Sequence, residues 1–322
     1  MGPGKPSTVK ESTLLRLPAR LYGREARLAR LRTVYEKVAA GGQPAALCLT
    51  GDPGVGKSAI LDAFAAQVPG LVLAGSFEPG VPYSAMSTAL AGLAGRDGGA
   101  VGHGLVEAAG PGADALVDLV PALGAVFGAR PAVADLPAHQ ARARTQLAVR
   151  RLLTEVADMV RPLVLVLDDL HLADEASVDL LASLLGEPPI GYLLILTGSE
   201  PQSAALRGLG HLVATLPVRP LPDAALTELL ADAFGAARPT VGPLTRQIAA
   251  KTASNPLSVR HFLHRLADAR VTGDLDELPP VGTGGSARNL IGSRLARLPR
   301  SVCTLLTVAA ATGTRVACHF PL

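Results

Sequence analysis

The chain is 322 residues long, 48% apolar, poor in aromatic residues and without tryptophan. Such a length accommodates one large domain plus a smaller one, or two to three small ones, with a core filled by Leu, Val and Ala. The net charge of +3 is small and dispersed, which argues against a nucleic-acid or membrane-surface protein, and no apolar run reaches the length of a membrane span.

In chain order, residues 1–17 are polar, carry Gly and Pro near their start, and are expected to be loose. Tyr22-Gly23-Arg24-Glu25 leads into a predicted helix with Leu28, Leu31, Tyr35 and Val38 on one face, ended by Gly41-Gly42. Residues 45–50 form a short apolar run that reads as a buried strand. Directly after it, Gly51-Asp52-Pro53-Gly54-Val55-Gly56-Lys57-Ser58 fits G-x-x-x-x-G-K-[ST]. Ile60, Leu61, Phe64 and Val68 then recur at helical spacing until Pro69-Gly70. A strand, a glycine loop and a helix are the context that separates a phosphate-binding P-loop from a glycine-rich turn matching by chance.

Residues 71–74 read as a second strand and 82–93 as a helix. From 92 to 138 the chain is rich in Gly and Ala and weakly patterned, so a variable insertion with helical pieces such as 114–119 is expected. A regular helix returns at 145–160, with Val149, Leu152, Leu153, Val156 and Val160 on one side. Arg142, Arg144, Arg150 and Arg151 crowd its start and read as a solvated face rather than phosphate contacts. Residues 163–167 are continuously apolar, as a parallel strand covered on both faces should be, and end in Asp168-Asp169. A helix with Val178, Leu181 and Leu185 follows. Then come a strand at 192–196, running into Thr197-Gly198-Ser199-Glu200, and a fifth at 212–216. The alternation predicts an α/β fold, a parallel five-stranded sheet with helices on both faces. Ligands bind such sheets beyond the carboxyl ends of the strands, where the P-loop, the paired acids and 197–200 all fall.

After Pro222 only helices are expected. Leu226, Leu229, Leu230 and Phe234 form a stripe closed by Gly235; a second helix runs from about 243 to 253, and a third starts at Pro256. His261 and His264 on it are spaced i, i+3, but no third ligand is evident, so they read as surface or packing residues. Residues 272–286 look like a linker. The domain organisation is therefore an α/β domain at 18–221 (insertion about 92–138), a small helical domain at 222–271, the linker, and at 287–322 the start of a winged-helix-like domain. Cys48, Cys303 and Cys318 show no C-x-x-C spacing, Cys48 reads as a buried thiol, and residues 1–20 hold no secretory leader, so a reducing cytoplasm is expected.

The chemistry these residues suit is that of ATP with Mg²⁺. Backbone N–H groups of the loop 51–56 can curl around phosphate oxygens, helped by the dipole of the helix that Lys57, Ser58 and Ala59 begin. Lys57 reaches the β- and γ-phosphates, and Ser58 offers its hydroxyl to Mg²⁺. Roughly 110 residues later, Asp168 can hold the metal opposite Ser58 while Asp169 orients or deprotonates an attacking water. The competing assignment makes Asp168-Asp169 a helix N-cap after a buried strand.

Leu21-Tyr22-Gly23-Arg24-Glu25, the P-loop, residues 163–174 and 252–263 (TASNPLSVRHFL) together resemble the STAND-type NTPases of the AAA-related ATPase class. The nearest variety is the ATPase module of large bacterial regulators, some kinase-linked and some carrying a LuxR-type DNA-binding domain. Residues 77–85 (FEPGVPYSA) and 116–121 also resemble the kinase-linked group. The resemblance implies an ATP-controlled switch. In it Tyr22, Gly23 and Arg24 lie near the adenine, and a helical lid bearing Asn255-Pro256-Leu257 closes over the nucleotide. It further implies a signalling partner or effector domain and possible homo-oligomerisation, with no membrane and no direct DNA binding by this chain. Two positions depart from the pattern. Thr197-Gly198-Ser199 lacks the Arg often found at its third place, which points to slow or absent hydrolysis, and Ser254 stands where many relatives have Gly. The alternatives are a nucleotide-binding scaffold without turnover, a P-loop small-molecule kinase, and a nucleic-acid-loading ATPase using Arg288, Arg294, Arg297 and Arg300.

Overall fold

The computed structural model describes Pro18 and residues 20–41, 43–94, 100–128, 136–199 and 203–269. The linker at 272–286, the helices expected at 287–322, Glu200, Cys303, Cys318 and the arginines from Arg288 to Arg300 lie outside the described residues. The chain divides into two compact units, 19–221 and a second that includes the described residues from 222 onward.

The first unit runs α1 (Glu25–Ala39), β1 (Ala45–Thr50), α2 (Lys57–Ala65), β2 (Leu71–Ser76), α3 (Ser84–Ala94), α4 (Ala100–Ala109), α5 (Ala113–Leu119) and α6 (Gly124–Phe127). It continues with α7 (Ala138–Met159), β3 (Leu163–Asp168), α8 (Glu175–Gly186), β4 (Tyr192–Gly198), α9 (Ala204–Leu209) and β5 (Ala214–Pro217). The five strands form one parallel sheet in the order β2-β3-β4-β1-β5. The α/β expectation holds.

Strand side chains alternate between two cores, as the period of two requires. Leu163, Leu165, Leu167, Leu194, Leu196 and Cys48 point into a core shared with α3, α5, α7 and α8. Val164, Val166, Leu193, Ile195, Leu47 and Leu49 point into the opposite one, closed by Leu31, Tyr35 and Val38 of α1 and Ile60, Leu61 and Phe64 of α2. The central strands β3 and β4 therefore bury both faces, which explains why 163–167 carries no polar residue. On β2 the fit is so close that a Cβ on Gly75 would lie 1.9 Å from the Ala85 carbonyl oxygen of α3.

The helical pieces expected in the weakly patterned segment after residue 92 are α4, α5 and α6, α5 covering the piece at 114–119, and the segment's Leu105, Leu116, Leu123 and Phe127 are buried in the same core as α7. Its alanines and glycines permit close helix packing while weakening any hydrophobic period. Several boundaries differ from the sequence expectations. Helix α7 starts at Ala138, earlier than its apolar stripe, because its first turns are held by charge: Arg144 pairs with Asp114 of α5 at 3.0 Å. Arg150 meets Glu187 at 2.5 Å, while Arg142 and Arg151 face solvent. Leu212 falls in a 3-10 turn, and β5 begins at Ala214.

The second unit contains α10 (Asp223–Phe234), α11 (Arg238–Thr252) and α12 (Pro256–Ala269). Gly235 ends α10 with φ of 58°, a left-handed stop that glycine adopts at no steric cost. Helix α11 begins at Arg238, well before Pro243, which it carries in its second turn. Ala253 and Ser254 both adopt positive φ, 49° and 55°. Ser254 thus occupies a conformation that glycine would take without strain. Asn255 accepts hydrogen bonds from the Leu257 and Ser258 N–H groups at 3.1 and 3.4 Å, and Pro256 is the first residue of α12. This pair is a helix cap followed by an N1 proline.

Candidate functional site

The site is built at the carboxyl ends of β1, β3 and β4. Because β4 lies between β1 and β3, the loop after β1 and the acids after β3 face each other across the end of β4. Gly51 leaves β1 at φ of 155° and its N–H donates to the Gly198 carbonyl of β4 at 3.2 Å. A Cβ there would lie 2.3 Å from the Val218 carbonyl oxygen, so only glycine lets the chain turn at this point. Val55 is fully buried in the α1–α2 core and its N–H donates to the Asp52 carbonyl at 3.3 Å. Asp52, Pro53, Ser58 and Ala59 are exposed, and Gly54 and Gly56 adopt positive φ.

Lys57 is only 7% exposed. Its ammonium donates to the carbonyl oxygens of Gly51 and Asp52 at 2.8 and 3.2 Å. Burial pushes its pKa below the ordinary lysine value, while the carboxylates of Asp169, Asp168 and Asp52 oppose that shift. Ser58 Oγ donates to Asp168 Oδ2 at 2.6 Å. The other carboxylate oxygen, Oδ1, accepts a hydrogen bond from the hydroxyl of Thr197, the penultimate residue of β4. The Thr197 oxygen in turn accepts the Asp169 N–H at 3.0 Å.

Asp169 has φ of 62° and ψ of 44°, a left-handed conformation sparsely used outside glycine, although aspartate tolerates it better than most. Burial first, and then the Asp168 charge, raise its pKa above the usual carboxylate range, while His171 and Lys57 act the other way. His171 Nδ1 is 3.8 Å from Asp169 Oδ1 and 2.9 Å from Ser199 Oγ. Neither acid caps α8. Asp174 does so, accepting from the Ser177 N–H at 3.2 Å.

Of the other residues expected at the site, Tyr22 is buried and stacks under the Arg20 guanidinium at 4.6 Å. Gly23 has φ of 61°. Arg24 is buried and its Nη2 donates to the Val55 carbonyl of the glycine loop at 2.8 Å. Pro256 belongs to the second compact unit. Thr197 was placed with 197–200 at the strand ends but given no role of its own, and His171, two residues beyond the second acid, was not singled out.

Among the described residues no cluster of three or more His, Cys, Asp or Glu could hold a metal alone. The Ser58 hydroxyl and the Asp168 carboxylate instead form a two-oxygen set of the hard, sparse kind that Mg²⁺ accepts when waters and phosphates complete its shell. An open cavity of about 640 Å³ lies elsewhere, at the amino end of β1, lined by Arg30, Val34, Lys37 and Ala45 among others. It takes no part in this site. No helix among the described residues is long and apolar enough to cross a membrane.

No curated protein matches the chain. Among solved structures it is similar to Orc1 of Aeropyrum pernix in complex with DNA, at 19% identity over 79% of this chain and 61% of that one, with a TM-score of 0.42. It is similar to Cdc6p of Pyrobaculum aerophilum at 16% identity, over 79% and 63% of the two chains, with a TM-score of 0.45. It is also similar to a signal transduction ATPase with numerous domains from Pyrococcus horikoshii that carries a tetratricopeptide repeat sensor. There the identity is 13%, the coverage 94% and 36%, and the TM-score 0.43. The chain thus spans about three fifths of the first two proteins and about a third of the last. A family model described as the AAA ATPase domain matches residues 20–196. With the P-loop and the paired acids inside that match, the chain belongs to the AAA ATPase domain family.

Proposed function

We propose that the chain is an ATP-binding and ATP-hydrolysing regulatory module, acting through a signalling partner or an effector domain. The observation that carries this is the meeting of Ser58 and Asp168 at 2.6 Å, beside buried Lys57 and next to Asp169 with its left-handed backbone. Each group has a distinct task. The N–H groups of 51–56 and the start of α2 take the phosphate oxygens. Lys57 leaves the Gly51 and Asp52 carbonyls to meet the β- and γ-phosphates as a charge. Ser58 and Asp168 hold Mg²⁺, which when bound neutralises charge between the phosphates. Asp169, whose backbone is left-handed directly after Asp168, orients the attacking water and accepts its proton.

Slow turnover fits Ser199, which offers no cation to the γ-phosphate. The domain assignment of 18–221 as the nucleotide domain and 222–271 as its lid belongs to the same proposal, as does a homo-oligomeric active form.

The test is ATP binding measured beside phosphate release for the wild type, Lys57→Ala and Asp169→Asn. Lys57→Ala should weaken ATP by about ten- to a hundredfold, the worth of hydrogen bonds to a charged group. Asp169→Asn should bind ATP normally and release no phosphate. Binding without wild-type turnover would favour a nucleotide-gated scaffold, and a folded wild type that ignores ATP–Mg²⁺ would end the proposal.

A further inference from the structure

Arg24 is 5% exposed, and its two hydrogen bonds both end on backbone carbonyl oxygens. One goes to its neighbour Gly23 at 3.3 Å. The other crosses 31 residues to Val55, inside the glycine loop, at 2.8 Å. The residue is anchored at its own end too. It precedes α1, and its carbonyl accepts the Arg27 and Leu28 N–H groups, each at 3.0 Å. Arg27 ties the same turn to the Pro217 carbonyl at the end of β5, at 3.1 and 3.2 Å. The guanidinium is therefore a fixed strut between α1 and the loop.

Resting on the nucleotide-binding reading above, we infer that Arg24 is a phosphate-positioning residue, acting through the Val55–Gly56 peptide rather than on the adenine. A trans peptide is planar, with its C=O and N–H pointing in opposite directions. Holding the Val55 carbonyl against Arg24 therefore aims the Gly56 N–H to the other side, where the loop curls around phosphate. Val55 cannot rotate to undo this, because its side chain is fully buried and its N–H is held by Asp52 at 3.3 Å. Gly56, at φ of 93°, then turns directly into α2, its carbonyl accepting the Ile60 N–H at 3.1 Å. One peptide orientation thus sets a phosphate donor and the entry to the helix together.

Charge supports the same assignment. The Arg24 guanidinium makes its hydrogen bonds to carbonyls only; burial and the Arg27 charge lower its pKa, and the Glu25 carboxylate opposes them only in part. A polyphosphate on the far side of the peptide adds negative charge, so ligand and strut stabilise each other reciprocally.

The experiment is calorimetric titration of ADP and of pyrophosphate into the wild type, Arg24→Met and Arg24→Lys, with thermal melts of each unliganded protein. Pyrophosphate has no base. The inference expects Arg24→Met to weaken both ligands by the same factor, about tenfold for one lost hydrogen bond to a charged donor. Arg24→Lys, which keeps a charge but not the planar fork, should fall between, and it carries the test if Arg24→Met does not fold. ADP weakened with pyrophosphate unchanged would assign Arg24 to the base and overturn the inference. Unchanged binding of both would overturn it equally. A folded wild type that binds neither ligand removes the nucleotide reading and this inference with it.

Discussion

Ser58, in the first turn of α2 after β1, and Asp168, the last residue of β3, stand 110 residues apart and follow strands that are not neighbours, yet their side chains meet at 2.6 Å. The intervening β4 makes this possible: it spaces the two ends by one strand, so a hydroxyl from the loop side reaches a carboxylate from the far side. On the proposed reading, these two oxygens would hold the divalent cation. Asp168→Asn should therefore leave Mg²⁺-free ADP binding intact and reduce the Mg²⁺-dependent gain by about 10- to 100-fold, the usual cost of disturbing a metal shell. Titrations with Mg²⁺ and with chelator measure that gain directly. An unchanged Mg²⁺ dependence would exclude Asp168 as a ligand.

Thr197 ties both acids in place. Its hydroxyl donates to Asp168 and accepts from the Asp169 N–H, and the residue is fully buried. Thr197→Val preserves shape but removes this bridge between two half-buried partners and leaves them unpaired by it, at a cost of about 1 kcal/mol in denaturant unfolding. Phosphate release should fall more than ATP affinity, because the acids lose their orientation while the P-loop is untouched. Thr197→Ser should recover most of both.

Asp169 gives a pH prediction with a definite sign. Burial and Asp168 raise its folded-state pKa above the unfolded value, so in the unliganded protein the folded state binds the proton more tightly. Stability from this group is then present at acid pH and declines as pH rises through the window between the two values. Asp169→Asn, which also suits the left-handed backbone, should raise the melting temperature of the unliganded protein at neutral pH while abolishing phosphate release. Melting curves across pH would show the two proteins converging as the medium becomes acid. An Asn variant less stable than wild type at neutral pH would contradict this account.

At Gly51 the constraint is steric. A Cβ there meets the Val218 carbonyl at 2.3 Å, backbone against backbone. Gly51→Ala should cost about 1–3 kcal/mol, the range for forced overpacking, and abolish ADP binding because the loop must shift. Gly56→Ala would meet no neighbour within 4 Å but is strained by its φ of 93°. It should therefore lose binding while disturbing the packing around β5 less. Denaturant unfolding paired with ADP titration separates the two effects.

The strands β1, β3 and β4 and the P-loop were legible in the sequence because their signals are local. A strand covered on both faces needs an unbroken apolar run, and 163–167 supplies one. A phosphate loop needs glycines at fixed steps, and 51–58 supplies them. The start of α7 was less legible because its first turns are held by pairs such as Arg144–Asp114, which carry no period. The segment 100–127 showed its helices only as pieces such as 114–119 for a related reason, since alanine and glycine pack well without forming a stripe.

The residues alone thus determined the chemistry on offer: a glycine loop with Lys57 and Ser58, and two acids at the end of a buried strand. Only the tertiary structure decided which of them meet. The order β2-β3-β4-β1-β5 inserts Thr197 between the loop and the acids, and that order is a choice among pairings of similar parallel strands. Only the fold, likewise, gave Arg24 its partner. Hydrophobic period and glycine spacing are written into neighbouring residues, whereas a hydrogen bond to the Val55 carbonyl uses an acceptor that every residue possesses.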